Sequence, residues 1–192
     1  MESFVILPIM TVMTPFGSIP NTGVNVINQP QVAFVSPAVK IDPTLKLEAD
    51  AIDAYFAEHD MPLEGTGLKM AEVADTNDID WRLLPAIAVR ESTGGKFDCK
   101  KAANNPFGWG SCKISFKSLD VAIETIAKNL GGNNPSTAKH YDNKTTKQIL
   151  NAYNPPSIVP RYTEQVMAIM KNIGNEDMVI TPVAPVLATA NI

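Results

Sequence analysis

The chain has 192 residues, enough for one ordinary domain with tails, and its 45% hydrophobic and 19% charged residues fit a globular protein rather than a disordered or collagen-like one. No run of 18 or more apolar residues occurs, so no membrane-spanning helix is predicted. The net charge of −4 is uneven: −8 over residues 1–91, +6 over 92–171 and −2 over 172–192. The basic stretch opens two readings, a field that favours an anionic partner or ordinary solvated lysines.

Residues 1–43 are rich in Pro, Asn, Val and Thr without clear periodicity, which predicts an extended or disordered arm. The first seventeen are apolar, yet Glu2 is acidic, Pro8 and Pro15 interrupt the run, and the first basic residue is Lys40. No secretory signal is read there. Residues 174–192 read as a flexible tail, leaving 44–173 as the folded domain.

Within that domain the pattern is helical. Leu45, Ala49, Ile52 and Phe56 share one face of a first helix. Gly65 and Gly67 open a second, with Met70, Val73 and Ala74 on one side. Asp80 is the expected N-cap of a third helix running to about Glu91, where Pro85 implies a kink or a late start. Ser118 caps a fourth, with Leu119, Ile123, Ile126 and Leu130 aligned, and Gly131-Gly132 stops it. A fifth spans about Thr145 to Tyr153, ended by Pro155-Pro156, and a sixth begins near Pro160 with Val166, Ile169, Met170 and Ile173 aligned. The stretch from Gly94 to Lys117 reads as a long loop or small β-hairpin. A loop of that length in a compact domain is usually functional or is not a real loop.

The third helix carries the main candidate. Leu84, Ile87, Ala88 and Glu91 fall at i, i+3, i+4 and i+7, so Glu91 extends the stripe that must face the core. Desolvation there would raise its pKa, which suits a general acid. The structural alternative is a helix-end carboxylate paired with a lysine. Arg90, one position off, should point elsewhere. Thr93, Gly94 and Gly95 then end the helix and admit close backbone approach. Cys99 and Cys112 either close a short loop in an oxidising compartment or remain two thiols. No zinc-type spacing accompanies them, and neither a metal nor a cofactor is expected.

Ala86-Ile87-Ala88-Val89-Arg90-Glu91-Ser92-Thr93-Gly94-Gly95 resembles the catalytic helix end of the lysozyme-like superfamily, where a Glu-Ser pair marks the acid of lytic transglycosylases and bacterial glucosaminidases. Asn104-Asn105-Pro106-Phe107-Gly108-Trp109-Gly110 resembles the Asn-x-Phe-Gly stretch of the endo-β-N-acetylglucosaminidase-like branch. Tyr153-Asn154-Pro155-Pro156, followed by Tyr162, resembles the Tyr-rich end of the same fold. The resemblance covers roughly residues 45–173.

The resemblance implies a mainly α, lysozyme-like glycan-hydrolase domain acting on peptidoglycan or a related N-acetylated polysaccharide, outside the cell or in the wall. Glu91 would be the general acid and Tyr153 its catalytic neighbour. Ser92, Asn104, Asn105, Phe107, Trp109 and Tyr162 would bind substrate. Phe107 and Trp109 read equally well as loop-anchoring core, and Tyr153 as helix packing.

Glycoside hydrolysis usually needs two carboxylates, about 5–5.5 Å apart for retention and roughly 6.5–9.5 Å for inversion. Asp98 is the best candidate for the second; Asp120 and Glu124 read as first-turn and exposed-face charges. Alternatively the substrate's own N-acetyl or 6-hydroxyl group is the nucleophile. The competing functions are a lytic transglycosylase or muramidase on the same glycan, or a catalytically silent glycan-binding module. Nucleic-acid binding lacks any recognised motif and is not expected. The sequence leaves the oligomeric state open.

Overall fold

The computed structural model describes residues 41–174, so the predicted arm and tail lie, but for a few residues, outside the described residues. The described chain is mainly α: α1 (Pro43–Glu58), α2 (Gly67–Thr76), α3 (Leu83–Ser92), α4 (Trp109–Cys112), α5 (Leu119–Leu130), α6 (Ala138–Tyr141), α7 (Thr146–Tyr153) and α8 (Tyr162–Ile173). No strand occurs among the described residues. The stretch Gly94–Lys117, expected as a loop or small hairpin, is a loop with the single turn α4 in it. Side-chain bonds of Asn104, Asn105 and Ser115, the Cys99–Cys112 bridge and the backbone bond from Phe116 N–H to Ala103 O hold it, not a ladder.

Each of the six expected helices forms, for local reasons. Asp42 caps α1 by accepting from the Thr44 amide at 2.7 Å, and Pro43 takes the first helical position, where its missing N–H costs nothing. Ser118 caps α5 at the Val121 amide, and Thr145 with Gln148 forms a reciprocal capping box on α7. α8 begins two residues after Pro160, because Arg161 at φ +65 reverses the chain first. The two short turns α4 and α6 carry no sequence signal beyond local turn residues.

The third helix starts later than expected. Asp80 does not cap α3; its carboxylate turns to Arg82, accepting from the backbone N–H at 2.9 Å, Nε at 2.9 Å and Nη2 at 2.6 Å. Arg82 is buried, and its Nη1 also donates to Gly174 O. A buried guanidinium needs a fixed counter-charge, and that need outcompetes capping. Pro85 accordingly sits in the first turn of α3, where no i−4 carbonyl bond is lost.

The core forms around α3, whose Leu83, Leu84, Ala86, Ile87 and Ala88 are fully buried. Ile52 and Phe56 of α1, Met70 and Val73 of α2, Ile123 and Ile126 of α5, and Val166 and Met170 of α8 close over it. A helix buried on nearly all sides delivers its last turn wherever its neighbours leave an opening, and here that turn carries Glu91.

α2 leans on α1 through Gly67. Asp53 of α1 accepts from the amides of Gly65 and Gly67, both at 2.9 Å, and so caps α2 from a neighbouring helix. A Cβ on Gly67 would lie 2.3 Å from the carbonyl oxygen of Ala49. Gly67→Ala is therefore expected to destabilise the fold by about 1–3 kcal/mol, since backbone must move. Urea unfolding followed by circular dichroism measures it; a change of a few tenths would show that the helices separate freely. No described helix is long and apolar enough to cross a membrane.

Candidate functional site

Glu91 stands at the last turn of α3, half-buried, at the point where the helix meets open space. The helix ends just beyond it with Thr93 in the left-handed region, φ 54. Buried Ser92 fastens this exit: its Oγ donates to Ala88 O at 3.0 Å and accepts from the Gly95 amide at 2.9 Å. Ser92 is committed to the backbone and does not line the cleft. Arg90 points away as expected, with Nε on Gln165 at 2.8 Å and its guanidinium over the Tyr162 ring.

The two oxygens of Glu91 have different surroundings. Oε1 accepts from the Tyr162 hydroxyl at 2.7 Å and from Asn154 Nδ2 at 3.2 Å. Oε2 lies against Gly108, where a Cβ would come within 2.9 Å of it. Gly108 also has φ +66, so a side chain there would be strained as well as crowded. The carboxyl is thus oriented by two donors on one oxygen, and its other oxygen borders the cleft.

That cleft has a volume of about 550 Å³. Glu91, Gly108, Trp109, Tyr141, Tyr153 and Asn154 line it, with Gly110, Ser111 and Cys112 along the same wall. Glu91 is the one carboxylate among these lining residues. The lining aromatics form a continuous wall: Tyr153 meets Trp109 at 5.6 Å and Trp109 meets Tyr141 at 6.3 Å, while buried Tyr162 backs the wall by stacking on Tyr153 at 6.1 Å and 10°. Such a surface offers apolar faces to a ring-shaped ligand, with a carboxyl at its edge.

Several residues expected to touch substrate build the cleft instead. Asn105 is fully buried and grips both ends of the turn: its Oδ1 accepts from the Trp109 amide at 3.0 Å, and its Nδ2 donates to Trp109 O and Ile114 O, each at 2.9 Å. Asn104 donates to Phe116 O at 2.9 Å from a left-handed backbone. Phe107 is fully buried in the core, and its carbonyl accepts from the Tyr153 hydroxyl. Tyr162 is buried and holds Glu91. None of these four lines the cleft. Asp98 does not either; its Oδ1 accepts from the next amide, Cys99. Asp120 lies exposed in the first turn of α5, and Glu124 pairs with Lys69.

Cys99 and Cys112 are joined, with Cα atoms 5.4 Å apart. The bond closes the loop whose far end forms the cleft wall. Gly110, Ser111 and Cys112 are successive left-handed residues, at φ 62, 54 and 57. For Ser111 and Cys112 this conformation costs roughly 1–2 kcal/mol each. No group of three or more metal-binding side chains is found among the described residues.

Tyr153 and Tyr162 are held neutral. Burial, then the charges of Tyr162, Glu91 and Tyr141, pushes the Tyr153 phenol well above its ordinary 10. The ring faces the cleft while the hydroxyl is enclosed, so the residue is half-exposed yet its titrating oxygen is not. Tyr162 is pushed up by burial, then by the charge of Glu91 and the bond to it, against the opposing pull of Asn154 and Arg90. Burial raises Tyr141, and burial with Glu58 raises Tyr55. A folded pKa above the unfolded one contributes stability that is full below the unfolded value and is lost as pH rises through the folded one. The expected result is that Tyr153 and Tyr162 contribute no phenolate absorbance near pH 10 and gain it only together with loss of helical ellipticity at higher pH. Ionisation of all four tyrosines well before unfolding would contradict the enclosure of these two.

Asn154, Tyr141 and Gly108 belong to the site and were not singled out as site residues in the sequence. Asn154 follows Tyr153 directly, and Gly108 sits between Phe107 and Trp109, so adjacency to expected residues was the available signal. Tyr141 arrives on α6, a four-residue turn with no periodicity to find. Compared with known proteins, the chain matches no family model and no curated protein sequence.

Proposed function

We propose that the chain is a lysozyme-like glycosidase that cuts the glycan strand of peptidoglycan or a related N-acetylated polysaccharide, with Glu91 as its general acid. One observation carries the reading: Glu91 is the single carboxylate lining a cleft of about 550 Å³, its Oε1 held by Tyr162 and Asn154, with an aromatic wall beside it. With Oε1 occupied as an acceptor, the transferable proton belongs on Oε2, the oxygen at Gly108. From there it passes to the glycosidic oxygen of the leaving sugar. Trp109 offers its face to a sugar ring, and Tyr153 closes the same wall.

No second carboxylate lines the cleft among the described residues, and this directs the rest of the mechanism. The substrate's own acetamido or 6-hydroxyl oxygen attacks the anomeric carbon as the leaving oxygen takes the proton. Where the acetamido oxygen has attacked, water then adds to the anomeric carbon, the bond to the acetamido oxygen breaks and ionised Glu91 takes a proton from that water. Where the 6-hydroxyl attacks, Glu91 takes the hydroxyl proton, so that one residue is acid and base in turn. The disulfide fits an extracellular or wall-associated setting, where such bonds persist.

Mass spectrometry of fragments released from purified peptidoglycan tests the proposal. Reducing N-acetylglucosamine ends identify a glucosaminidase, reducing muramic ends a muramidase and anhydro ends a lytic transglycosylase. The single carboxylate also favours a second reading, a glycan-binding module without turnover. Binding of N-acetylglucosamine oligomers with no released fragment would select it.

A further inference from the structure

We propose that the Cys99–Cys112 bond is a redox latch on the cleft: oxidised, it holds the wall from Gly108 to Cys112 in shape; reduced, it lets that wall relax. The activity readout rests on the glycosidase reading, whereas the latch itself is a statement about the wall. Cys112 lines the cleft at the far end of the same turn that presents Trp109. The turn consists of Gly110, Ser111 and Cys112, all left-handed, and two of these have side chains that disfavour that conformation.

Few other fasteners act between the ends of the turn. Asn105 clamps Trp109 on one side and the carbonyl of Ile114 on the other. Between them the backbone makes only long bonds, Cys112 N–H to Gly108 O at 3.3 Å and Lys113 N–H to Gly110 O at 3.2 Å. The sulfur bridge therefore holds the strained residues at Cys112, between the two points, Trp109 and Ile114, that the asparagine holds.

Access and chemistry both permit switching. Cys112 is exposed and Cys99 half-buried. A thiolate of a small dithiol attacks Cys112 Sγ, forming a mixed disulfide and releasing Cys99 as thiolate. The second thiol of the reductant, as thiolate, then displaces Cys112, so that the protein gains two electrons and two protons in all and the dithiol becomes a cyclic disulfide. A disulfide oxidant reverses both steps. The bond persists only in oxidising surroundings, so the cleft wall is completed there and is slack in a reducing compartment.

The full chain is compared in three states: oxidised, reduced with dithiothreitol, and reoxidised with oxidised glutathione. Hydrogen exchange is read over residues 108–114, circular dichroism reports the helices, and fragment release from peptidoglycan reports activity. The expected result is that reduction abolishes protection in that segment, lowers activity about tenfold or more and leaves the helical signal intact, with recovery on reoxidation. Ser111→Gly, which removes one left-handed side chain, is expected to narrow the gap between reduced and oxidised activity. Unchanged exchange with both thiols free would overturn the latch, as would unchanged fragment release by a protein that is active when oxidised, or collapse of all helices on reduction. The same reduced-to-oxidised ratio in Ser111→Gly and the parent would overturn the role of strain. Loss of protection in a protein whose oxidised form releases no fragments would uphold the latch and reject the glycosidase reading.

Discussion

Glu91→Gln is expected to lower fragment release from peptidoglycan by about a thousandfold or more, at a melting temperature close to that of the parent chain. The substitution is nearly isosteric. The carbonyl oxygen of the introduced amide can keep both donors now on Oε1, the Tyr162 hydroxyl and Asn154 Nδ2. The amide nitrogen then takes the place of Oε2 beside Gly108, where no side chain stands in the way. Packing of α3 is untouched, since Leu84, Ile87 and Ala88 carry it. What disappears is the proton, so the expected loss is in kcat with sugar binding retained. Full turnover by Glu91→Gln would reject the proposed function outright. Tyr162→Phe gives a graded companion: it leaves Oε1 with Asn154 alone, and the expected loss is smaller, roughly ten- to a hundredfold.

Phe107→Ala is expected to cost about 3–5 kcal/mol of stability, measured by chemical denaturation. Phe107 is fully buried, so truncation opens a cavity that the surrounding helices fill only in part. The same residue also receives the Tyr153 hydroxyl on its carbonyl, so a shift of its backbone would loosen the stack of Tyr153 with Trp109 and Tyr162. The test separates two roles for one motif residue. A core residue shows its loss in the unfolding midpoint; a sugar-contacting residue shows it in KM with stability unchanged. An unfolding curve within a few tenths of a kcal/mol of the parent, with a raised KM, would restore Phe107 to the binding surface.

Much of this fold was legible because its signals are local. Ser118, Thr145 with Gln148, and Pro43 each satisfy or spare amides within one turn, and most periodic apolar positions of α1, α5 and α8 are buried as their spacing requires, with Leu45, Leu119 and Ile169 half-buried. Asp80 was misread for the opposite reason. Its sequence context is that of a cap, but a buried arginine two residues on competes for the carboxylate, and burial is set by the packing of distant elements. The same applies to Asn104, Asn105 and Phe107. Their residue types suit a ligand loop equally well whether they face inward or outward, and only the fold of residues 94–117 decides that they face inward.

By itself the sequence determined a mainly α domain, its six principal helices, and a carboxylate at the end of the apolar stripe of α3. Periodicity, caps and breakers act over a few residues, so they can be read without a partner. The tertiary structure alone decided which groups meet that carboxylate. Tyr162 lies 71 positions from Glu91 and Asn154 lies 63, and no local rule links them. It also excluded Asp98 from the cleft and joined Cys99 to Cys112 at its wall. Such contacts depend on how α3, α7, α8 and the long loop pack together, and packing is a property of the whole core rather than of any one segment.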